Sequence, residues 1–183
     1  MDICSLPLDG LKMIQTTARS DERGSFERLF CTSELGDLIG PRNIVQINSS
    51  VTADTGTVRG IHFQHSPHAE MKLIRCIKGR IWDVAVDLRK NSPTFLQWYG
   101  CELSSNNKKM MVIPEGFGHG FQTLEPGSEL LYLHTTHFVP SAEGGLRFDD
   151  PSLSIAWPLE VSKISERDSK HALIDDSFHG ILI

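Results

Sequence analysis

The sequence is poor in the residues that mark several common classes of protein. Its four cysteines are widely spaced and form no Cys-x-x-Cys pair, so it carries no sign of a zinc ribbon, a redox motif or a disulfide framework. It has 18 Lys and Arg against 23 Asp and Glu, a formal charge of −5, and no long basic run, which argues against nucleic acid as a partner. No stretch approaches the roughly 18 apolar residues of a membrane span, which argues against a membrane protein.

What remains is the composition of a folded globular chain. With 183 residues and 39% hydrophobic content, the chain is large enough to bury a core, and we expect a single domain over 1–183 with a C-terminal extension from about 159. The first four residues, Met1 to Cys4, lack the basic and apolar pattern of a secretory leader. We therefore expect a cytoplasmic protein.

The body of the chain has the alternation that is typical of short β-strands. Between Arg80 and Arg89, Trp82, Val84, Val86 and Leu88 occupy every second position, which predicts a half-buried strand. Similar runs cover 42–51, 57–64, 70–78, 95–103, 109–113, 118–124 and 128–139, and turn residues separate them. Strands at this regular spacing favour an antiparallel, all-β sandwich or barrel.

Only two short helices are indicated. Thr32 or Ser33 is a suitable N-cap for a helix that ends near Leu38, because Gly40-Pro41 would stop it. The run Ser165-Glu166-Arg167-Asp168 resembles a capping box and predicts a second helix. Both helices are expected at the periphery of the strands.

Two histidine-containing segments could carry chemistry. In the first, His62 is followed by His65 and His68; these residues either form hydrogen bonds in the core and in the turn around Pro67, or contribute to a metal site. His62 and His65 have opposite strand phase, so they converge on a metal only if a loop intervenes. In the second, Pro114, Gly116 and His119 have the Pro-x-Gly-x-x-His spacing of the second half of the cupin signature. The first half would require His-x-His, and the chain has His62-Phe63-Gln64, so the match indicates the fold rather than a metal.

Two further polar residues lie in apolar strands. Lys72 is in phase with Ile74 and Cys76, and on an inward face its ammonium group would have to be paired or functional. The pattern is equally consistent with an outward lysine. Tyr132 needs a hydrogen-bond partner if it is buried, and alone it would be assigned to the core.

Taken together, the motifs resemble those of the dTDP-4-dehydrorhamnose 3,5-epimerases. They run in order along residues 8–170: Asp21 to Gly24, Val45 to Asn48, Val58 to Gln64, Lys72 to Arg75, Asp83 to Arg89, Ser92 to Phe95, Ile113 to Phe121, Glu143 to Gly145, Asp149 to Pro151, Ile155 to Pro158, and Ser165 to Asp168. The resemblance implies a cupin double-stranded β-helix, or jelly roll, and a strand-exchanged homodimer. It also implies epimerisation of a dTDP-linked 4-keto-6-deoxyhexose at C3 and C5, with no metal and no cofactor.

The resemblance assigns a role to each candidate residue. His62 is the expected base, Asp168 the carboxylate that orients it, Lys72 the cation beside the enolate, and Tyr132 the acid on the opposite face. The residues expected to contact the nucleotide sugar are Arg23, Phe26, Gln46, Asn48, Arg59, His119 and Glu143. Strict alternation puts Arg59 and His62 on opposite faces of one strand, so either Gly60 hosts a bulge or one of the two serves a site shared with the partner chain.

The chain departs from the common family pattern at a few positions. Leu133, His137 and Phe138 replace a lysine and paired tyrosines, and Arg28 stands where relatives usually have a carboxylate. His134 and His137 lie in this divergent stretch and suggest an altered substrate pocket, whereas His65, His68, His171 and His179 are interpreted as surface or loop residues. The alternatives are a C3-only epimerase, a non-catalytic sugar-nucleotide-binding cupin in which base and orienting carboxylate are apart, and a metal-dependent cupin oxygenase or isomerase.

Overall fold

The computed structural model describes residues 1–183 and consists mainly of antiparallel strands. The strands are β1 Asp2–Ser5, β2 Lys12–Gln15, β3 Ala18–Asp21, β4 Gly24–Glu27, β5 Gln46–Thr52, β6 Val58–Gln64, β7 Lys72–Lys78, β8 Arg80–Asp87, β9 Trp98–Ser104, β10 Lys109–Ile113, β11 Phe117–Thr123, β12 Ser128–His134 and β13 Glu143–Gly145. The helices are α1 Thr32–Ile39 and α2 Glu166–Ser169, with a 3-10 turn at Pro140–Ala142. Neither helix is long and apolar enough to cross a bilayer.

Two sheets face each other across the main core. One has six strands in the order β1-β2-β10-β7-β12-β5, and the other has five in the order β13-β6-β11-β8-β9. Ile74 and Leu130 from the first sheet pack with Ala85, Leu103 and Phe121 from the second in one buried cluster. This arrangement confirms the all-β prediction, and the middle strands agree closely with the predicted runs. Strands β1 to β4 and β13 were not predicted.

The outer face of each sheet is also covered. Helix α1 places Leu35 and Ile39 against Leu73 and Leu133 of the six-stranded sheet. The C-terminal segment covers the five-stranded sheet, where Ile181 packs with residues such as Val84 and Val86 and pairs with Arg89. Strand β8 is therefore buried on both faces, and the prediction of a half-buried strand was wrong, because a pattern of period two cannot show that a distant segment covers the second face.

Both predicted helices are present. The N-cap of helix α1 is Cys31, which makes no side-chain capping bond, so the prediction of Thr32 or Ser33 as N-cap was wrong. The helix ends at Ile39 and is followed by Gly40, whose φ of 58° suits glycine. Helix α2 has Ser165 as its N-cap, and the Ser165 hydroxyl accepts a hydrogen bond from the Asp168 backbone N–H at 3.0 Å. The Asp168 carboxylate is thereby held in the first turn of a short, capped helix.

The hairpin of β3 and β4 pairs with neither sheet. Its base is held by Glu27, which accepts a hydrogen bond from Arg75 at 2.8 Å and lies 3.5 Å from the Lys108 ammonium group. The side chain of Arg23, in the turn of the hairpin, is 84% exposed, and Phe26, in β4, is 72% exposed. A large aromatic side chain is thus displayed on an element that belongs to neither of the two main sheets.

Strand β6 contains a bulge. His62 pairs with His119 and Arg59 pairs with Phe121, so three steps along β6 match two along β11. Gly60 lies inside the bulge with φ of 123°, and a Cβ there would lie 2.5 Å from the Cα of Gly120. The extra residue brings Arg59 and His62 to the same side of the strand. Of the two explanations offered for their conflicting strand phase, the bulge is therefore confirmed.

We expect Gly60→Ala to lower the free energy of unfolding by about 2 kcal/mol or more, because alanine adds backbone strain and a backbone clash. Denaturant-induced unfolding measures the change. Gly36→Ala is the matched control: Gly36 lies in α1, a Cβ added there would meet no atom within 4 Å, and the variant should be neutral or slightly stabilising. A Gly60→Ala protein as stable as the wild type would contradict the tight bulge.

Candidate active site

A cavity of about 290 Å³ opens between the two sheets. Strands β6 and β11 of the five-stranded sheet line one wall, and β5, β7 and β12 of the six-stranded sheet line the other. Seven of the eleven residues predicted for the site line it: Asn48, Arg59, His62, Lys72, His119, Tyr132 and Glu143. Asp168 lies directly behind His62, so the four predicted catalytic residues are together.

The His62 ring is held by Asp168. Its Nε2 lies 2.8 Å from Asp168 Oδ1, and the Gly60 backbone N–H donates to the other carboxylate oxygen at 3.2 Å. Burial alone would raise the pKa of Asp168, but the hydrogen bond and charge of His62 and the bonds from Gly60 and Ser165 outweigh it and hold the pKa well below the usual range. The carboxylate is therefore ionised, and it leaves Nδ1 as the ring nitrogen that is free for a substrate.

Two further side chains surround this pair. Arg167 donates to Glu143 at 2.9 Å and places another guanidinium nitrogen 3.1 Å from His62 Nε2. The His171 ring packs edge-on against the His62 ring with centroids 6.3 Å apart, and burial together with the nearby His62 lowers its pKa. His171 was interpreted as a surface or loop residue, and it does lie in the loop after α2, where it is partly exposed. The sequence did not indicate that this loop lies beside the dyad, because the tail folds back over β6.

The potential metal ligands form a different set from the one the sequence suggested. His65 is exposed, whereas ligand atoms of His62, Asp168 and His171 lie within 4.8 Å of one another. The Arg167 guanidinium contacts both His62 and Asp168, so a cation bound here would first have to displace a positive charge.

Lys72 points into the cavity and is 8% exposed. Its ammonium group lies 3.3 Å from the Glu70 carboxylate and donates to the His62 carbonyl oxygen at 3.4 Å. The choice between an inward and an outward lysine is thereby settled. Glu70 was not predicted, although it precedes Lys72 by two residues and so shares its strand phase; period two could have found it.

Tyr132 lies on the same wall as Lys72. Its hydroxyl is 3.3 Å from the Ser50 hydroxyl, and its ring meets the His119 ring edge-on at 6.1 Å. Burial raises the pKa of Tyr132 despite the bond to Ser50, so the phenol stays protonated at neutral pH. His119 is itself held by the fully buried Asp83 at 2.7 Å, a partner that sequence reasoning missed.

Three predicted contact residues lie outside the cavity lining. Arg23 and Phe26 are on the exposed hairpin, and the structure does not bring them to the cavity of their own chain. Gln46 is the first residue of β5, and its side-chain oxygen accepts a hydrogen bond from the Phe138 backbone N–H at 3.2 Å. It therefore supports the cavity rim through Phe138.

The positions where the chain departs from the family pattern differ in importance. Phe138 lines the cavity, whereas Leu133 is buried in the outer cluster beneath α1 and His137 is exposed. Arg28 forms an ion pair with Glu34 at 2.6 Å, away from the cavity. Only Phe138 among these four residues can alter the pocket directly.

The comparisons with known proteins agree with this geometry. A family model described as dTDP-4-dehydrorhamnose 3,5-epimerase matches residues 5–176. The dTDP-4-dehydrorhamnose 3,5-epimerase of Salmonella typhimurium is 38% identical over 179 residues, which are 97% of each chain. The dTDP-4-dehydrorhamnose 3-epimerase of Streptomyces niveus is 34% identical over 178 residues, which are 97% of this chain and 86% of that one.

A solved structure is similar over the whole chain. The crystal structure of dTDP-6-deoxy-D-glucose-3,5-epimerase from Legionella pneumophila, in complex with dTDP-4-keto-L-rhamnose, superposes with a TM-score of 0.91 at 36% identity and covers 100% of this chain and 98% of that chain. With a family model over most of its length and relatives above 30% identity, the chain belongs to the dTDP-4-dehydrorhamnose 3,5-epimerase family and is an isomerase of the cupin type.

Proposed function

We propose that the chain inverts C3 and C5 of dTDP-4-dehydro-6-deoxyglucose, or a closely related dTDP-linked 4-keto-6-deoxyhexose, through an enolate. The observation that carries the proposal is that acid and base candidates lie on opposite walls of the cavity. The His62 and Asp168 pair lies on the five-stranded sheet, and Tyr132 and Lys72 face it from the six-stranded sheet. Inversion needs a base on one face of a sugar carbon and an acid on the other, and this arrangement supplies both.

The chemistry of each residue suits one step. The C4 ketone acidifies the hydrogens on C3 and C5, and His62 takes one of them as the base, with Asp168 fixing its ring and stabilising the imidazolium. The electron pair moves onto the C4 oxygen, where the Lys72 ammonium group stabilises the negative charge. Tyr132 then returns a proton to the carbon from the opposite wall, which suits a phenol that burial keeps protonated.

The rest of the cavity fits a nucleotide diphosphate. Arg59 donates through Nε to the Thr52 hydroxyl at 3.0 Å, which fixes the guanidinium at the mouth, where its remaining donors suit phosphate oxygens. Asn48, His119 and Glu143 present further polar atoms along the walls. We assign these residues, with Gln46 at the rim, to binding of the nucleotide sugar.

We further propose that the active form is a strand-exchanged homodimer in which the β3–β4 hairpin completes the partner's cavity. Arg23 and Phe26 are the predicted contact residues that their own cavity lacks, and both are exposed on this hairpin. A guanidinium and an aromatic ring are suited to a phosphate and a base. The dimer thus gives both residues a site.

A C3-only epimerase is the second candidate. Phe138 lines the cavity but offers no hydroxyl, and one of the relatives is named a 3-epimerase. If the chain were a non-catalytic binding protein, His62 and Asp168 would be expected to lie apart. The 2.8 Å contact between them argues against that alternative.

Incubation of the protein with dTDP-4-keto-6-deoxyglucose in deuterated water tests the reaction, with NMR locating the label. We expect deuterium at both C3 and C5, because each inversion exchanges the hydrogen with solvent. His62→Ala should abolish label at both carbons, while the exposed His65→Ala should exchange like the wild type. Label at C3 alone would support the 3-epimerase, and no label would contradict both candidates.

The Asp168→Asn variant tests the orienting carboxylate. We expect kcat/KM to fall by about 100-fold or more, because the amide neither stabilises the imidazolium nor fixes the ring in the same way. An unchanged kcat/KM would remove Asp168 from the mechanism.

The depressed pKa of Asp168 also predicts how stability depends on pH. The wild-type carboxylate contributes stability above its unfolded pKa of about 3.9, and this contribution is lost as the pH falls through the lower folded pKa. In acid titrations of unfolding free energy, Asp168→Asn should therefore lose less stability below about pH 4 than the wild type. Parallel curves would contradict the depressed pKa.

Subunit mixing tests the exchanged hairpin. We expect His62→Ala and Arg23→Ala proteins to be weakly active alone and to regain about a quarter of wild-type activity after unfolding and refolding as an equal mixture, since half of the dimers then contain one intact site. If Arg23 serves its own chain, no mixed dimer has an intact site. Absence of recovery in refolded mixed dimers would contradict the exchange.

A further inference from the structure

A second histidine and carboxylate pair lines the cavity, on the wall opposite His62. His134 Nδ1 lies 2.7 Å from Glu70 Oε2, and the side chains are 12% and 8% exposed. Both residues line the cavity, and neither has a role in the mechanism above. The arrangement repeats that of His62 and Asp168, in which a buried carboxylate holds one ring nitrogen and leaves the other for the substrate.

The histidine of this pair lies next to Tyr132 on the cavity wall formed by the six-stranded sheet. Tyr132 and His134 are two residues apart on β12 and lie on one face of the strand, and their rings stack with centroids 6.0 Å apart at 15°. Leu133 between them points into the outer cluster. A phenol and an imidazole therefore stand side by side on the surface from which a proton has to return to the sugar.

The charges around His134 support a proton-transferring role. Burial would raise the pKa of Glu70, but the hydrogen bond from His134 and the charge of Lys72 outweigh it and lower the pKa, so the carboxylate is ionised. Lys72 shares this carboxylate at 3.3 Å from the strand next to β12. On the β5 side, the Asn48 amide nitrogen donates to His134 Nε2 at 3.3 Å, and the amide oxygen can take its place by rotation of the amide when Nε2 carries a proton. Tyr132 is the remaining titratable neighbour on β12.

Resting on the proposed function, we propose that His134, positioned by Glu70, is a second proton donor, which serves one of the two inverted carbons while Tyr132 serves the other. C3 and C5 flank C4 on one ring, so two adjacent donors on one wall can address both. His119 and Asp83 form a similar pair, but they lie on the same sheet as His62 and so approach from the wrong side. Phe138, where relatives have a phenol, supplies no proton.

The step balances without any further reactant. His62 takes the hydrogen from carbon, and the C–H electron pair becomes the enolate. Protonated His134 then gives the proton on Nε2 to the carbon, the enolate pair forms the new C–H bond, and C4 returns to a ketone. His134 is left neutral with Nδ1–H still donated to Glu70, His62 is left protonated, and exchange with water resets both.

The test follows deuterium incorporation at C3 and C5 separately, across pH, in the wild type, His134→Gln, Glu70→Gln and the control His137→Gln. Glutamine keeps hydrogen-bonding atoms but does not titrate. His137 is exposed three residues along the same segment, so its replacement controls for loss of a histidine in this stretch. Circular dichroism and thermal unfolding show whether each variant is folded.

We expect His134→Gln to lower deuterium incorporation at one carbon by at least about tenfold and to leave incorporation at the other carbon within about twofold of the wild type. The pH profile for the affected carbon should lose one limb. Glu70→Gln should affect the same carbon and move that limb to lower pH, because a neutral amide stabilises the imidazolium less. This shift would not follow from a merely structural role, and it keeps the test decisive if His134→Gln folds poorly. His137→Gln should match the wild type.

The inference is overturned if both variants, once folded, match His137→Gln, or if they lower incorporation equally at both carbons. Wild-type label at C3 alone would also overturn it, since no second carbon would need a donor. These outcomes differ from failure of the proposed function, which would appear as absence of label in the wild-type protein itself.

Discussion

The hydrogen bond between His62 and Asp168 joins two parts of the chain that are 106 residues apart in sequence. The carboxylate is buried, and a buried charge is costly unless it is paired and hydrogen-bonded. The surrounding structure meets this requirement through the His62 ring, the Gly60 amide inside the bulge and the capped first turn of α2. The path of the C-terminal tail over the five-stranded sheet is thus the means by which His62 acquires its carboxylate partner.

The cupin fold suits this reaction because it encloses a pocket between two independent walls. A residue at an inward position of either sheet faces the substrate from a fixed side, and neighbouring inward positions of one strand lie side by side. His62 and Tyr132 approach from opposite sides, and Tyr132 and His134 approach from the same side. In the proposed mechanism, inversion of a carbon therefore depends on which sheet carries which residue.

Paired ionisable side chains are concentrated around the cavity. Three histidines that line it, His62, His119 and His134, each have a buried carboxylate as partner, at 2.7 to 2.8 Å. Each pairing fixes a ring orientation and leaves one nitrogen for other contacts. The positive charge of Lys72 is balanced by Glu70 within the same wall. Three of the eight histidines of the chain thus belong to this pocket.

The sequence by itself determined the strands from β5 to β12, the turns between them, the cupin class and the residues of the family motifs. Alternation and turn chemistry are local properties, and the motifs are read directly. The short strands β1 to β4 and β13 were not predicted. It also indicated that Arg59 and His62 conflict in phase, and it offered the bulge as one solution. It did not indicate Asp83, Glu70 or His171 as neighbours of the site, nor that both faces of β8 are buried. Those facts depend on which distant segments pack together. Only the tertiary structure decides the partner of a buried charge, because that partner is selected by proximity in space rather than by spacing along the chain.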